Sequence, residues 1–128
     1  MDQTPLDNLL RPKSVAIVGA SATPGKIGYT VIDNLLKGGY NGKIYPINPT
    51  ADVILDLPVF ASVTDVPDKV DLAVITVPVN LVSQVAEECG QKGIKALSVI
   101  TSGFSEVGRK DLEDDLIAIG HKYGMCIL

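Results

Sequence analysis

The stretch VAIVGASATPGKIG, residues 15–28, decides the fold. An apolar run ends at Gly19, and Gly25 and Gly28 follow before a helical pattern begins. A strand that feeds a glycine-rich turn and then a helix is the arrangement by which α/β proteins hold phosphates. Gly19 and Ala20 carry little side chain, so a ligand can approach the backbone there. Gly28 lets the helix start tight against the strand. Ser21 adds a hydroxyl and Lys26 a mobile positive charge, and the amides and dipole of a helix N-terminus favour an anion. An ordinary strand–turn–helix connection needs a turn, but not three glycines, a serine and a lysine together.

Outward from this stretch, further apolar strand-like runs occur at residues 43–47, 72–77, 96–100 and 125–128. Helical spacing lies between several of them. Val31, Ile32, Leu35 and Leu36 form one apolar face, ended by Gly38 and Gly39. Leu81, Val82, Val85, Ala86 and Cys89 form a second, ended by Gly90 or Gly93. Leu112, Leu116, Ile119 and Tyr123, after Gly108, form a third, ended by Gly124. Strands that are apolar on both faces, separated by amphipathic helices, predict an α/β fold in three layers with a mostly parallel sheet. Residues 49–70 break the pattern. Pro49, Pro58 and Pro67, with Pro46 just before, leave no clean period, so a loop with a short helix or strand is expected. Residues 1–12 are expected to form a lead-in that packs Leu9 and Leu10 against the domain.

The 128 residues suffice for one domain with a real core. Hydrophobic residues at 46% and charged residues at 20% place the chain among ordinary globular proteins. A net charge of −4 argues against bulk attraction to nucleic acid. No apolar run reaches the ~18 residues of a membrane span, and the N-terminus lacks the basic-then-apolar layout of a signal peptide. A cytoplasmic location is the expectation. The two cysteines, Cys89 and Cys126, have no CxxC spacing and read as reduced core residues. His121 is the only histidine, near the end of a helix, and no metal cluster surrounds it.

In open parallel sheets, ligands sit at the carboxyl ends of the strands. Those ends carry Gly19, Ala20 and Ser21 with Lys26 to Gly28 beyond, then Asn48 and Pro49, then Val77 and Pro78 with Asn80, then Thr101, Ser102, Gly103 and Phe104. Together they read as the rim of one site. A nicotinamide site is poorly supported. GASATPGKIG has Ala–Ser–Ala where GxGxxG needs its second glycine, and YPINPT has no acid to hold ribose hydroxyls. The Walker pattern GxxxxGK[ST] also fails, because Ile27 follows Lys26.

The segments LLRPKSVAIVGAS, PGKIGY, GKIYPINP, VDLAVITVP, GIKALSVITSGFSEVG and KYGM, in this order, resemble the CoA-binding domain of NDP-forming acyl-CoA synthetases. That family includes the ADP-forming acetate–CoA ligases and the alpha chain of succinyl-CoA synthetase. The resemblance runs from about Leu9 to the final residue. It implies a Rossmann-like fold that binds coenzyme A. By it, Gly19, Ala20, Ser21, Lys26 and Ile27 would hold the phosphates, and Asn48 and Pro49 would border the adenosine part. Val77 and Pro78 would line the slot for the adenine or pantetheine arm, and Thr101, Ser102 and Gly103 would lie near the thiol end. CoA carries a 3′-phosphate, which an acid after the second strand would repel.

In the family the last strand runs into a GPNC turn, and the sequence stops at Leu128, short of it. The family's phosphorylated histidine belongs to another domain, and His121 does not match it. The expectation is therefore a single CoA-binding domain, the N-terminal fragment of a longer acid–CoA ligase, that binds but does not catalyse alone. Its partners would be CoA or acyl-CoA and the remaining domains or subunit of the synthetase. Two other readings stay open at this point: the CoA-binding portion of a protein lysine acetyltransferase or a stand-alone binding protein, and a dinucleotide-binding oxidoreductase domain.

Overall fold

Two strands show why the sheet is parallel. Ser14–Val18 (β1) and Leu72–Ile75 (β5) are buried at every position, leaving neither face for solvent. The computed structural model describes residues 4–100 and 106–128, the side chains of residues 106–109 excepted. Around β1 and β5 it places helices Pro5–Leu10 (α1) and Ile27–Lys37 (α2), strand Lys43–Ile47 (β2), and short strands Val53–Ile54 (β3) and Leu57–Pro58 (β4). Helix Val79–Lys92 (α3), strand Ala96–Val99 (β6), helix Glu106–Tyr123 (α4) and strand Cys126–Ile127 (β7) complete the order.

Five strands pair in parallel in the order β2-β1-β5-β6-β7. The chain starts at β1, one strand in from the edge, moves outward to β2, then returns across β1 to β5. The winding direction reverses there, and a crevice opens at the carboxyl ends on either side of β1. On one face, Leu9 of α1 and Val31, Ile32 and Leu35 of α2 pack on Val15, Ile17, Leu72 and Val74. On the other, Val82, Ala86 and Cys89 of α3 and Leu112 of α4 pack on Val18, Ala73, Ile75 and Leu97. This is the three-layer, Rossmann-like α/β arrangement that the apolar runs anticipate. Each fully buried Ile or Leu stabilises it by about 1.5–3 kcal/mol.

Several details depart from the sequence reading. Leu10 is 63% exposed, and α1 instead buries Asn8 beside the half-buried Leu9. Thr4 and Pro5 fix where the helix begins, and it ends at its C-cap Arg11, just before Pro12, so it is short and only one strip of residues reaches the sheet. Leu81 and Leu36 are also exposed, each lying at the margin of its helix's apolar face. Helix α3 runs through Gly90 and ends at Gly93, whose φ of 94° takes the left-handed turn that stops it. Gly90 is kept in the helix by packing: a Cβ there would lie 2.3 Å from the Tyr123 ring of α4. Helix α4 begins at Glu106, ahead of Gly108, which a helix tolerates.

Residues 49–70 hold the β3–β4 hairpin and a 3₁₀ turn, Val63–Asp65. The hairpin turns through Leu55 and Asp56, both with positive φ. It is followed by Phe60, whose N–H donates to the Pro46 carbonyl at 3.0 Å and whose carbonyl accepts from Asn48 N at 3.0 Å, which covers part of the outer edge of β2. Among the described residues, Cys89 is buried, Cys126 is half-buried, and both are free thiols. No helix among the described residues is long and apolar enough to cross a membrane.

Candidate functional site

The loop after β1 is fastened to both neighbouring strands. The amides of Gly19 and Ala20 donate to the Ile47 carbonyl at 3.3 and 3.2 Å, which ties the loop to the end of β2. On the other side, Thr76 donates from its backbone N–H and its hydroxyl to the Val18 carbonyl, at 2.8 and 2.9 Å. Gly19 has φ 94°, and a Cβ there would meet Thr76 Oγ1 at 2.5 Å. Thr76 thus fills the place a Cβ would take, which together with the positive φ makes glycine a packing requirement at this position. Thr76 was missed in the sequence, where the signal was only a threonine one residue before Val77 and Pro78.

Ala20 is 2% exposed and packs with Ile32 and Ile54, so only its backbone can face the crevice. Ser21 Oγ accepts from the Thr23 amide at 3.0 Å, which curls the loop and leaves the hydroxyl hydrogen to donate. Lys26 is exposed and occupies the N-cap of α2 without a capping side chain. Ile27, at the first helical position, is 39% exposed. Gly28 is buried against the carbonyl of Gly19, as the expected tight helix start requires.

At the end of β2, Asn48 Nδ2 donates to the Ala20 carbonyl at 2.9 Å. Its Oδ1 accepts from Thr50 N, Ala51 N and Thr50 Oγ1 at 2.8, 3.0 and 3.1 Å. Pro49 is exposed beside it. Pro78 is the N-cap of α3, and Val77 is half-buried against the core above β5. Gly19, Ala20, Ser21, Lys26, Ile27, Asn48, Pro49, Val77 and Pro78 therefore line one rim around the end of β1. Thr101, Ser102 and Gly103 lie outside the described residues.

A separate groove of about 640 Å³ runs along α4 and β7, lined mainly by Val99, Leu112, Leu116, Met125, Ile127 and Leu128. Its walls are apolar and offer few donors for a phosphate, so the rim fits an anion better. His121 borders this groove, away from the β1 loop. Among the described residues no cluster of histidine, cysteine or carboxylates could hold a metal.

Residues 13–128 match the family model for the CoA binding domain. The chain belongs to this CoA-binding domain family. Curated relatives match it along almost its whole length. Acetate–CoA ligase [ADP-forming] I subunit alpha of Pyrococcus furiosus is 51% identical, over 96% of this chain and 28% of that protein. The 4-hydroxybutyrate–CoA ligase [ADP-forming] of Nitrosopumilus maritimus is 43% identical, over 94% of this chain and 17% of that protein. Among solved structures, a dinucleotide-forming acetyl-coenzyme A synthetase 1 of Ca. Korarchaeum cryptofilum, in complex with phosphate and ADP, superposes with a TM-score of 0.90. It is 51% identical, over 96% of this chain and 26% of that one. The CoA-binding domain described here thus spans under a third of the length of these relatives.

Proposed function

We propose that the chain binds coenzyme A at the carboxyl rim around β1, as the CoA-binding domain of an ADP-forming acyl-CoA synthetase of the acetate–CoA ligase kind. The observation that carries this reading is the family match over residues 13–128, together with 51% identity to an acetate–CoA ligase alpha subunit. CoA is here a substrate to be held, and its acylation belongs to the remaining domains or subunit. Relatives named for acetate and for 4-hydroxybutyrate both match this chain almost end to end, so the match does not single out the acid.

The rim's chemistry supports CoA over a nicotinamide dinucleotide. The pyrophosphate would face the start of α2, where the backbone around Ala20, the Ser21 hydroxyl and the Lys26 ammonium supply donors and charge beside Gly19 and Ile27. Asn48 and Pro49 would border the adenosine part without a carboxylate facing the 3′-phosphate. Val77 and Pro78 would line the path of the arm, and Thr101, Ser102 and Gly103 would approach the thiol end. Thermal-shift measurements with CoA, acetyl-CoA, ADP and NAD test the proposal. With CoA at about 100 times its dissociation constant the stabilisation should be about 2.7 kcal/mol. A clear shift with NAD and none with CoA would overturn it.

A further inference from the structure

The Asn48 side chain joins the end of β2 to the loop after β1. Its amide orientation follows from its partners: the Ala20 carbonyl needs a donor, and the Thr50 and Ala51 amides need an acceptor. Reversing the amide would set oxygen against oxygen and N–H against N–H. With three donors around it, Oδ1 has no lone pair left for a ligand. One Nδ2 hydrogen is spent on Ala20.

The consequence reaches the next residue. In a trans peptide the carbonyl of one residue and the N–H of the next point in opposite directions. Holding the Ala20 carbonyl toward Asn48 therefore turns the Ser21 N–H the other way. No group among the described residues accepts from that N–H. If the peptide rotated, the Ala20 carbonyl would face the place proposed for the phosphates and repel them.

We infer that Asn48 is a positioning residue for the proposed CoA site, clamping the Ala20 carbonyl so that the Ser21 amide faces the phosphates. This rests on the CoA reading of the rim. It adds an indirect role at the pyrophosphate to the place proposed for Asn48 beside the adenosine part.

Two variants separate the clamp from the turn that Asn48 also forms. Asn48→Ala removes both. Asn48→Ser keeps a short acceptor for the residue 50 amide but cannot reach Ala20. CoA affinity is measured by calorimetry, and the Ser21 amide is followed by ¹H–¹⁵N NMR in the ¹⁵N-labelled chain. Both variants should bind CoA about tenfold more weakly, and the Ser21 resonance of the free protein should move in both. If Asn48→Ala fails to fold, Asn48→Ser decides alone. CoA affinity within twofold of the parent in Asn48→Ser, or an unmoved Ser21 resonance, would overturn the inference. If the parent chain itself binds no CoA, the functional reading fails, and the Ser21 resonance still decides whether Asn48 sets that peptide.

Discussion

A Cβ on Gly28 would lie 2.1 Å from the carbonyl oxygen of Gly19 and 2.9 Å from the Cα of Ala20. The first turn of α2 is therefore in backbone contact with the loop that precedes it, and no flexible side chain can yield to relieve a clash. Gly28→Ala should destabilise the domain by about 1–3 kcal/mol or more, as over-packing against fixed atoms does. It should also weaken CoA binding, because α2 must move off the loop. Urea unfolding and CoA titration of this variant check both parts. Unchanged stability would mean that α2 can shift at little cost.

Lys26 stands exposed at the start of α2, where its charge would meet a phosphate. Lys26→Ala should weaken CoA binding by about threefold to tenfold at low salt and flatten the dependence of affinity on salt. Titrations at low and high ionic strength measure this. Equal affinities for variant and parent at low salt would make Lys26 a solvated loop charge.

Helices α3 and α4 meet where Gly90 faces the Tyr123 ring, whose hydroxyl donates to Glu87 Oε1 at 2.8 Å. Gly90→Ala gains about 1 kcal/mol of helix propensity. It must also displace the ring and that bond. A net loss of about 1–3 kcal/mol is expected, with CoA affinity unchanged because the contact lies away from the rim. A urea midpoint at or above that of the parent would refute this.

Burial pushes the Cys89 thiol up from 9.0 to about 12, with Glu88 adding to the shift. Burial, with a bond to Asp68, pushes Tyr45 from 10.0 to about 12. In both cases the folded state keeps a proton that the unfolded chain releases. The stabilisation is therefore complete below the unfolded values and is lost as pH rises through the folded ones. The melting temperature should fall from about pH 9 upward. Cys89→Ala, though less stable overall, should show a shallower fall between about pH 9 and 11. An identical slope would exclude Cys89 as a source.

The chain alone should make no acyl-CoA from acid, CoA and ATP. His121 stands in the last turn of α4 beside an apolar groove, far from the proposed pyrophosphate position. An assay with purified chain and several acids tests this. Turnover that disappears in His121→Ala would assign catalysis to this domain.

The alternation of buried strands and amphipathic helices was legible because hydrophobic period is a local property. Residues 15–18 and 72–75 are apolar on both faces whatever they pair with, and that alone demands cover on two sides. The loop from Gly19 to Gly28 was legible for the same reason, as turn chemistry between a strand and a helix. In the weakly periodic residues 49–70 a loop with a short helix or strand was legible, but the β3–β4 pairing was not, since the hairpin depends on two positive-φ residues, Leu55 and Asp56, that no glycine announces. Nor was the outward placement of Leu10 and Leu81, because the pattern marks an apolar side but not how wide a strip its neighbours cover. Within the rim, the tertiary structure alone decided what each group touches. Gly19 meets Thr76, Ala20 turns into the core, and Asn48 reaches back to the Ala20 carbonyl. These pairs are far apart in the chain and become neighbours only because β2 and β5 flank β1, an order set by how the crossovers wind.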